Sequence, residues 1–328
     1  MAKSPESFLS IVKTGYMQKS EWSGFTVLVV LGVVTAILNP AFLGGDSLIN
    51  LARAISMSLI PCIGLTFALG AGEIDLSPGA MLALSGVMAG LFIKRYNMPV
   101  FPAVLLTLVI AGACGALMGW VIVQFSVHSM IATLGFQNIF RGFLNVLTEG
   151  HPYTGFPDSF LFFGKGSILG LPVPIYLSII ALIVGMFLLK NTVFGRSVVA
   201  VGGNIETARL AGIRTKKYII LVHVLSSVCA GIAGLLTAAR IGSAQVMVGS
   251  GLEMNALAAV VIGGTSLAGG SPTVVGTLVG VAIIELIAVA LSLVRVDVYW
   301  QKVVLGIIIV IAVAADTYKR ARLASGKG

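Results

Sequence analysis

The feature that most limits this chain is a recurrence. Ten apolar stretches, separated by short polar or glycine-rich joints, run approximately over 22–43, 50–70, 76–93, 100–124, 129–147, 173–189, 218–240, 253–268, 272–293 and 299–316. Most are apolar on all sides rather than along one stripe, as a lipid-embedded helix is. One crossing takes about 20 residues, so ten take about 200 of the 328. The remainder suffices for joints and tails, not for a separate nucleotide-binding or catalytic domain. Only 10% of residues are charged, against roughly a quarter in a soluble domain. An ordinary globular enzyme is excluded. The expected fold is all-α and polytopic, with about ten transmembrane helices over 22–318, an N-terminal tail over 1–21 and a C-terminal tail over 319–328.

In a soluble protein the net charge of +9 would point to nucleic acid. Here the basic residues gather at the ends of the stretches instead, so no nucleic-acid partner is expected. Lys3, Lys13 and Lys19 precede the first stretch. The segment 190–217 holds Lys190, Arg196, Arg209, Arg214, Lys216 and Lys217 against the single acid Glu206. Lys319, Arg320, Arg322 and Lys327 follow the last stretch. An even number of crossings puts all three groups on one side, which the positive-inside rule makes cytoplasmic. Lys94 and Arg95 then face outward, against that rule. The first apolar run begins near Trp22, is long and has no small-residue cleavage site, so it reads as a retained span rather than a signal peptide.

Small residues dominate several stretches, as in Ala111-Gly112-Ala113-Cys114-Gly115-Ala116. They let helices approach closely where lipid supplies no hydrophobic drive, so a tightly packed bundle is expected. Cys62, Cys114 and Cys229 lie apart with no metal-like spacing and read as small buried hydrophobes. The stretch 129–147 carries Thr133, Gln137, Asn138, Arg141 and Asn145, and is polar for lipid contact. It should face other helices or a water-filled path. The stretch 253–268 is short and glycine-rich and is expected to cross only in part. Segment 148–172 is the longest outward loop, suited to a plug or a docking surface. A weak repeat relates Ala71–Gly79 to Gly263–Gly270, with a competing register at Gly249–Asn255.

The segment Val201–Ile213 is the most informative. Asn204 suits an N-cap and Glu206 the first turn, where the helix dipole favours an acid. Gly212 suits the C′ position that ends a helix. The expectation is about two helical turns projecting into the cytoplasm, apolar at Ile205, Ala208, Leu210 and Ala211. Such a helix either fits a groove on a partner or lies on lipid headgroups, pinned by its cations. Asp75, Ser77 and Pro78 read as a helix start, with the acid and hydroxyl at caps and Pro in the first turn.

Several of these segments together resemble the permeases of bacterial sugar ATP-binding-cassette importers, the ribose/arabinose/galactose/autoinducer-2 family. Gly72-Glu73-Ile74-Asp75-Leu76-Ser77-Pro78-Gly79 resembles that family's Gly-Gly-Ile-Asp-Leu-Ser-x-Gly motif. Ala132-Thr133-Leu134-Gly135 with Arg141-Gly142 resembles its Ala-Thr-Leu-Gly and Arg-Gly pattern. Phe194-Gly195-Arg196, Gly251-Leu252-Glu253-Met254 and Gly263–Gly270 follow in the same order. The likeness covers roughly 25–318. It implies a vitamin-B12-permease-like helical fold, paired with a second copy or a related permease. It implies an ATPase docking on the loop through Gly202, Gly203, Asn204, Glu206, Ala208, Arg209, Leu210, Ala211, Gly212 and Ile213, and a periplasmic sugar-binding protein on the other face. The chain has no Gly-x4-Gly-Lys-[Ser/Thr] loop, so no cofactor is expected here and ATP with Mg belongs to the partner ATPase.

Candidates for the translocation path or gate are Asp75, Ser77, Thr133, Asn138, Arg141, Asn255 and Glu285. The chain departs from the family at Glu73, where Gly is usual. This places two acids in one turn, and Glu73 reads more readily as facing cytoplasmic water than as half of a hydroxyl-binding pair. Arg141 either pairs with an acid or snorkels outward. Glu285 either lines the path or sits protonated in a helix contact, the path being preferred. His128, His151 and His223 fall near the ends of stretches and read as interfacial. The leading reading is the membrane subunit of an ATP-driven monosaccharide or polyol importer in the bacterial inner membrane. A stand-alone carrier or channel coupled through Glu285, Asp75 or Glu73 is the alternative from another class.

Overall fold

Every one of the ten apolar stretches contains a helix. The structure, a computed structural model, describes residues 19–324. The expected tails lie largely outside them, Lys3, Lys13 and Lys327 included. In chain order the helices are α1 (Lys19–Leu38), α2 (Gly45–Gly70), α3 (Pro78–Gly90), α4 (Val100–Phe125), α5 (Ser129–Thr148), α6 (Asp158–Lys165), α7 (Val173–Asn191), α8 (Val193–Gly203), α9 (Ile205–Leu210), α10 (Thr215–Ile241), α11 (Leu252–Ile262), α12 (Val274–Leu293) and α13 (Val298–Ala324). Of these, α2, α4, α7, α10 and α12 are long and apolar enough to cross a membrane whole. Two two-residue antiparallel ladders, a 3-10 turn at Pro40–Leu43 and a π turn at Leu91–Arg95 complete the described secondary structure.

The boundaries depart from expectation where local chemistry stops a helix. The first stretch ends at Leu38 rather than near 43, because Asn39 precedes Pro40 and the residue before proline is pushed out of the helical region. Asn39 Oδ1 accepts the Ala41 N–H at 3.0 Å and starts a short 3-10 turn. At the other end α13 continues to Ala324, past the expected boundary at 319. The outward loop 148–172 is not bare loop: it holds α6 and a small hairpin. Lys94 tethers it by donating to the Gly155 carbonyl at 2.8 Å.

The hub is α10, which packs on α2, α3, α4 and α6. Its small residues make this possible. A Cβ added at Gly64 of α2 would lie 2.7 Å from the Ser226 Cα, and one at Gly234 of α10 would lie 2.2 Å from the Leu82 carbonyl of α3. Backbones therefore touch where side chains would otherwise keep them apart. His223 belongs to this hub. Because α10 starts at Thr215, the residue lies well inside the helix, fully buried, and its Nδ1–H donates to the Ile219 carbonyl at 2.9 Å. It is not interfacial as expected. Cys62 and Cys229 are buried free thiols and Cys114 is half-buried.

Candidate functional site

Two joints between successive apolar stretches stand out, a break at 71–77 between α2 and α3 and one at 263–273 between α11 and α12. Both begin alike. After α2, Gly72 takes a φ of +82° and the Glu73 N–H reaches back to the Ala68 carbonyl at 2.9 Å. After α11, Gly264 takes a φ of +96° and the Thr265 N–H reaches back to the Val260 carbonyl at 3.2 Å. This six-to-one closure on a left-handed glycine is the Schellman ending. It aligns Ala71-Gly72-Glu73 with Gly263-Gly264-Thr265, which is the first of the two repeat registers; the register at Gly249–Asn255 finds no such match.

Buried irregular backbone must have its polar groups satisfied by protein. Around the first break, side chains do this. Asp75 is fully buried. Its Oδ1 accepts the Ser77 N–H at 2.8 Å and the Ser77 hydroxyl at 2.7 Å, and its Oδ2 accepts the Ser226 hydroxyl of α10 at 2.6 Å. From α5, Thr133 Oγ1 accepts the Leu76 N–H at 3.1 Å and Ser129 Oγ accepts the Ile74 N–H at 3.0 Å. The break is thereby bolted to α5 and α10, and α3 starts with Pro78 in its first turn. One expectation is corrected: the Ser77 hydroxyl does not cap α3 but donates to Asp75. Glu73 is half-exposed while Asp75 is enclosed, so the two acids do not share one environment.

The segment 190–217 folds as two helices. In α9 the Asn204 Oδ1 accepts the Thr207 N–H at 2.8 Å, the expected cap. Gly212 has a φ of +82°, its N–H meets the Arg209 carbonyl, and the Ile213 N–H meets the Ala208 carbonyl, both at 3.0 Å. This third Schellman ending closes a helix somewhat shorter than the expected two turns. Glu206 and Arg209 are 3.7 Å apart and both exposed, a pair of little energetic weight. The apolar residues divide. Ala208 is buried beside Met118, Val201 and Ile219, whereas Leu210 is 84% exposed and Ile205 and Ala211 face outward. Ala208 therefore seats the knob on the bundle and is not itself a contact surface, a correction to its expected place in the docking face.

Gly202 and the breaks meet directly. A Cβ on Gly202 would lie 1.9 Å from the Gly70 carbonyl and 2.6 Å from the Gly270 nitrogen. The Gly270 N–H donates to the Gly70 carbonyl at 3.0 Å. The end of α8 and both breaks thus form one glycine junction, with Gly203 beside it in open space.

The other expected path residues fall elsewhere. Arg141 neither pairs with an acid by direct contact nor snorkels; its guanidinium donates to the carbonyls of Val246 and Val248, the latter at 3.1 Å. Gln137 beside it donates to Glu253 at 3.2 Å. Asn138 is exposed on the outer face of α5, donating to its own helix at Leu134. Asn255 and Glu285 come together with Ser58 around a cavity of about 30 Å³, between α2, α11 and α12, room for about one water. Glu285 accepts the Ser58 hydroxyl at 2.5 Å. Sequence reasoning missed Ser58, Ser129, Ser226 and Glu253. The adjacent hydroxyls at 226 and 227 inside a strongly apolar stretch were the available signal for Ser226.

The chain matches, over residues 47–313, the family described as branched-chain amino acid transport system / permease component. It belongs to that family. A ribose import permease of Bacillus subtilis is 39% identical over 310 residues, covering 94% of this chain and 95% of that protein. A D-allose transport system permease of Escherichia coli is 35% identical, covering 90% and 92%. An L-arabinose ABC transporter permease of Azospirillum brasilense is 36% identical, covering 90% and 86%. No solved structure matches. The chain is thus a multi-pass permease component of a bacterial ATP-binding-cassette importer, a transport subunit that works with an ATPase and a binding protein.

Proposed function

We propose that this permease carries a monosaccharide or related polyol from periplasm to cytoplasm through the inner membrane, with ATP and Mg held by the separate ATPase. Ribose, allose and arabinose, the solutes for which its relatives are named, are the first to test. Ten spans in a vitamin-B12-permease-like arrangement, with both termini cytoplasmic, fit the helix order and the basic segment 190–217. The observation that carries the mechanism is the glycine junction. The ATPase meets the outward residues of α9, chiefly Arg209, Leu210 and Ala211. Its closure moves α8 and α9, and Gly202 passes that motion to the breaks at 71–77 and 263–273.

The path runs beside a second permease copy or a related chain along α5. That helix presents Gly135, Asn138, Gly142 and Asn145 outward at three- and four-residue spacing. A Cβ at either glycine would meet nothing within 4 Å. Amides and glycines on a membrane-facing stripe favour protein or water over lipid as neighbour. The Asp75, Ser77 and Thr133 cluster acts as the structural mount of the gate rather than as a solute site.

The test is uptake of labelled ribose, allose and arabinose by vesicles containing the reconstituted permease, ATPase and binding protein. ATP-dependent accumulation of at least one sugar is expected, lost in Arg209→Glu and in Ala208→Pro while the chain still inserts. Accumulation by vesicles containing this chain alone would overturn the reading in favour of a stand-alone carrier.

A further inference from the structure

Helices α7 and α10 both pack on α2 but scarcely touch each other. Between them runs an apolar groove of about 300 Å³, with Ile60 and Phe67 of α2 as its floor. Leu177 and Ile232 also line a second apolar cavity of about 140 Å³, walled by Phe160 and Phe163 of α6. The two therefore adjoin at these residues. Along α10 the lining runs from Leu225 to Leu236, about 17 Å at 1.5 Å per residue. That is close to one leaflet's half of the roughly 30 Å hydrocarbon core.

The groove has a basic mouth at the end away from α8 and α9. One turn beyond Leu236, on the same face of α10, stands the exposed Arg240. Its Nη1 rests 3.3 Å from the Met57 sulfur of α2. One turn further out on α2 is Arg53, within electrostatic reach of Arg240, as is Glu285. Arg53 Nη1 donates to Asn50 at 3.3 Å, but its buried Nε has no partner. Lys165 of α6 lies over the end of α10, its Nζ 3.3 Å from where a Gly242 Cβ would be. Two guanidiniums within electrostatic reach of each other, beside the mouth of an acyl-sized groove, match a phosphate with a hydrocarbon tail.

We propose that a phospholipid of the leaflet opposite α8 and α9 binds here as a specific ligand. One acyl chain fills the groove between α7 and α10, and the phosphate sits between Arg53 and Arg240. With Lys165 nearby, the cations exceed one phosphate charge, so an anionic headgroup is preferred over a zwitterionic one.

The full chain is placed in nanodiscs of phosphatidylcholine containing phosphatidylglycerol with a photoreactive acyl chain, and adducts are mapped by mass spectrometry. Adducts should concentrate on Ala181, Val228 and Ile232 over Val310 and Ile311, which are exposed on α13. Arg53→Ala with Arg240→Ala should cut the groove adducts about tenfold, the loss of charge-assisted bonds worth about 1.4 kcal/mol or more. Lysine at both positions should restore most of the yield. Val228→Trp, which fills the groove, should abolish the adducts with unchanged elution on size exclusion. Even labelling around the perimeter, or groove adducts insensitive to both arginines, would overturn the proposal.

Discussion

The two breaks start with the same closure and then part ways. At 71–77, hydroxyls from α5 and α10 and the enclosed carboxylate of Asp75 hold the backbone in place. At 263–273 the cross-element contacts are made mainly by glycine backbone: Gly269 and Gly270 lie against Gly72, Gly202 and Gly203, and the Thr273 N–H is held locally by Thr265 Oγ1 at 3.1 Å. The first break is fastened to its neighbours by side chains, the second by close glycine backbone that includes the bond from the Gly270 N–H to the Gly70 carbonyl. A force arriving through Gly202 would shift the second relative to the first.

The largest expected effect comes from unfastening the first break. Asp75→Ala leaves the Ser77 N–H and two hydroxyls without their acceptor in a dry interior, costing about 2–4 kcal/mol. Thermal unfolding of the purified permease should register this, with Asp75→Asn milder; an unchanged melting temperature would break the contrast between the two loops. Next is the junction itself. Gly202→Val should abolish uptake because the branched side chain cannot share space with the Gly70 carbonyl, whereas Gly203→Val, in open space, should retain it. Equal uptake by the two would refute transmission through Gly202.

A smaller effect separates the fastenings. Thr133→Val removes a bond from the first break to another helix and Thr265→Val one within the second, each worth about 1 kcal/mol. Hydrogen exchange should rise at Leu76 in the former and at Thr273 in the latter, without spreading between loops. The smallest is Asn204→Ala, which loses the α9 cap at a cost of about 1 kcal/mol. It should lower ATPase affinity modestly and leave melting of the bundle unchanged.

The helices and the knob were legible because their signals are local. An apolar run declares a lipid-embedded helix, and Asn204 and Gly212 mark the ends of α9 whatever surrounds them. Ala208 was misread because it is covered by Met118 of α4, far back in the sequence, as well as by Ile219 of the next helix. Asp75 was recognised as notable, yet its bond to Ser226 spans 151 positions and leaves no local trace. Arg141 shows the same limit: backbone carbonyls, which every residue has, cannot be read as its partners from side-chain types. The repeat shows such a limit too, since two registers fit the letters and both carry left-handed glycines, and only the six-to-one backbone closures at Glu73 and Thr265 separate them.

Gly64 sets how this permease can change shape. With α2 and α10 backbone to backbone there, neither helix can rotate or slide past the other without collision. They form a fixed keel, and the strokes of a transport cycle fall to the limbs hung around it.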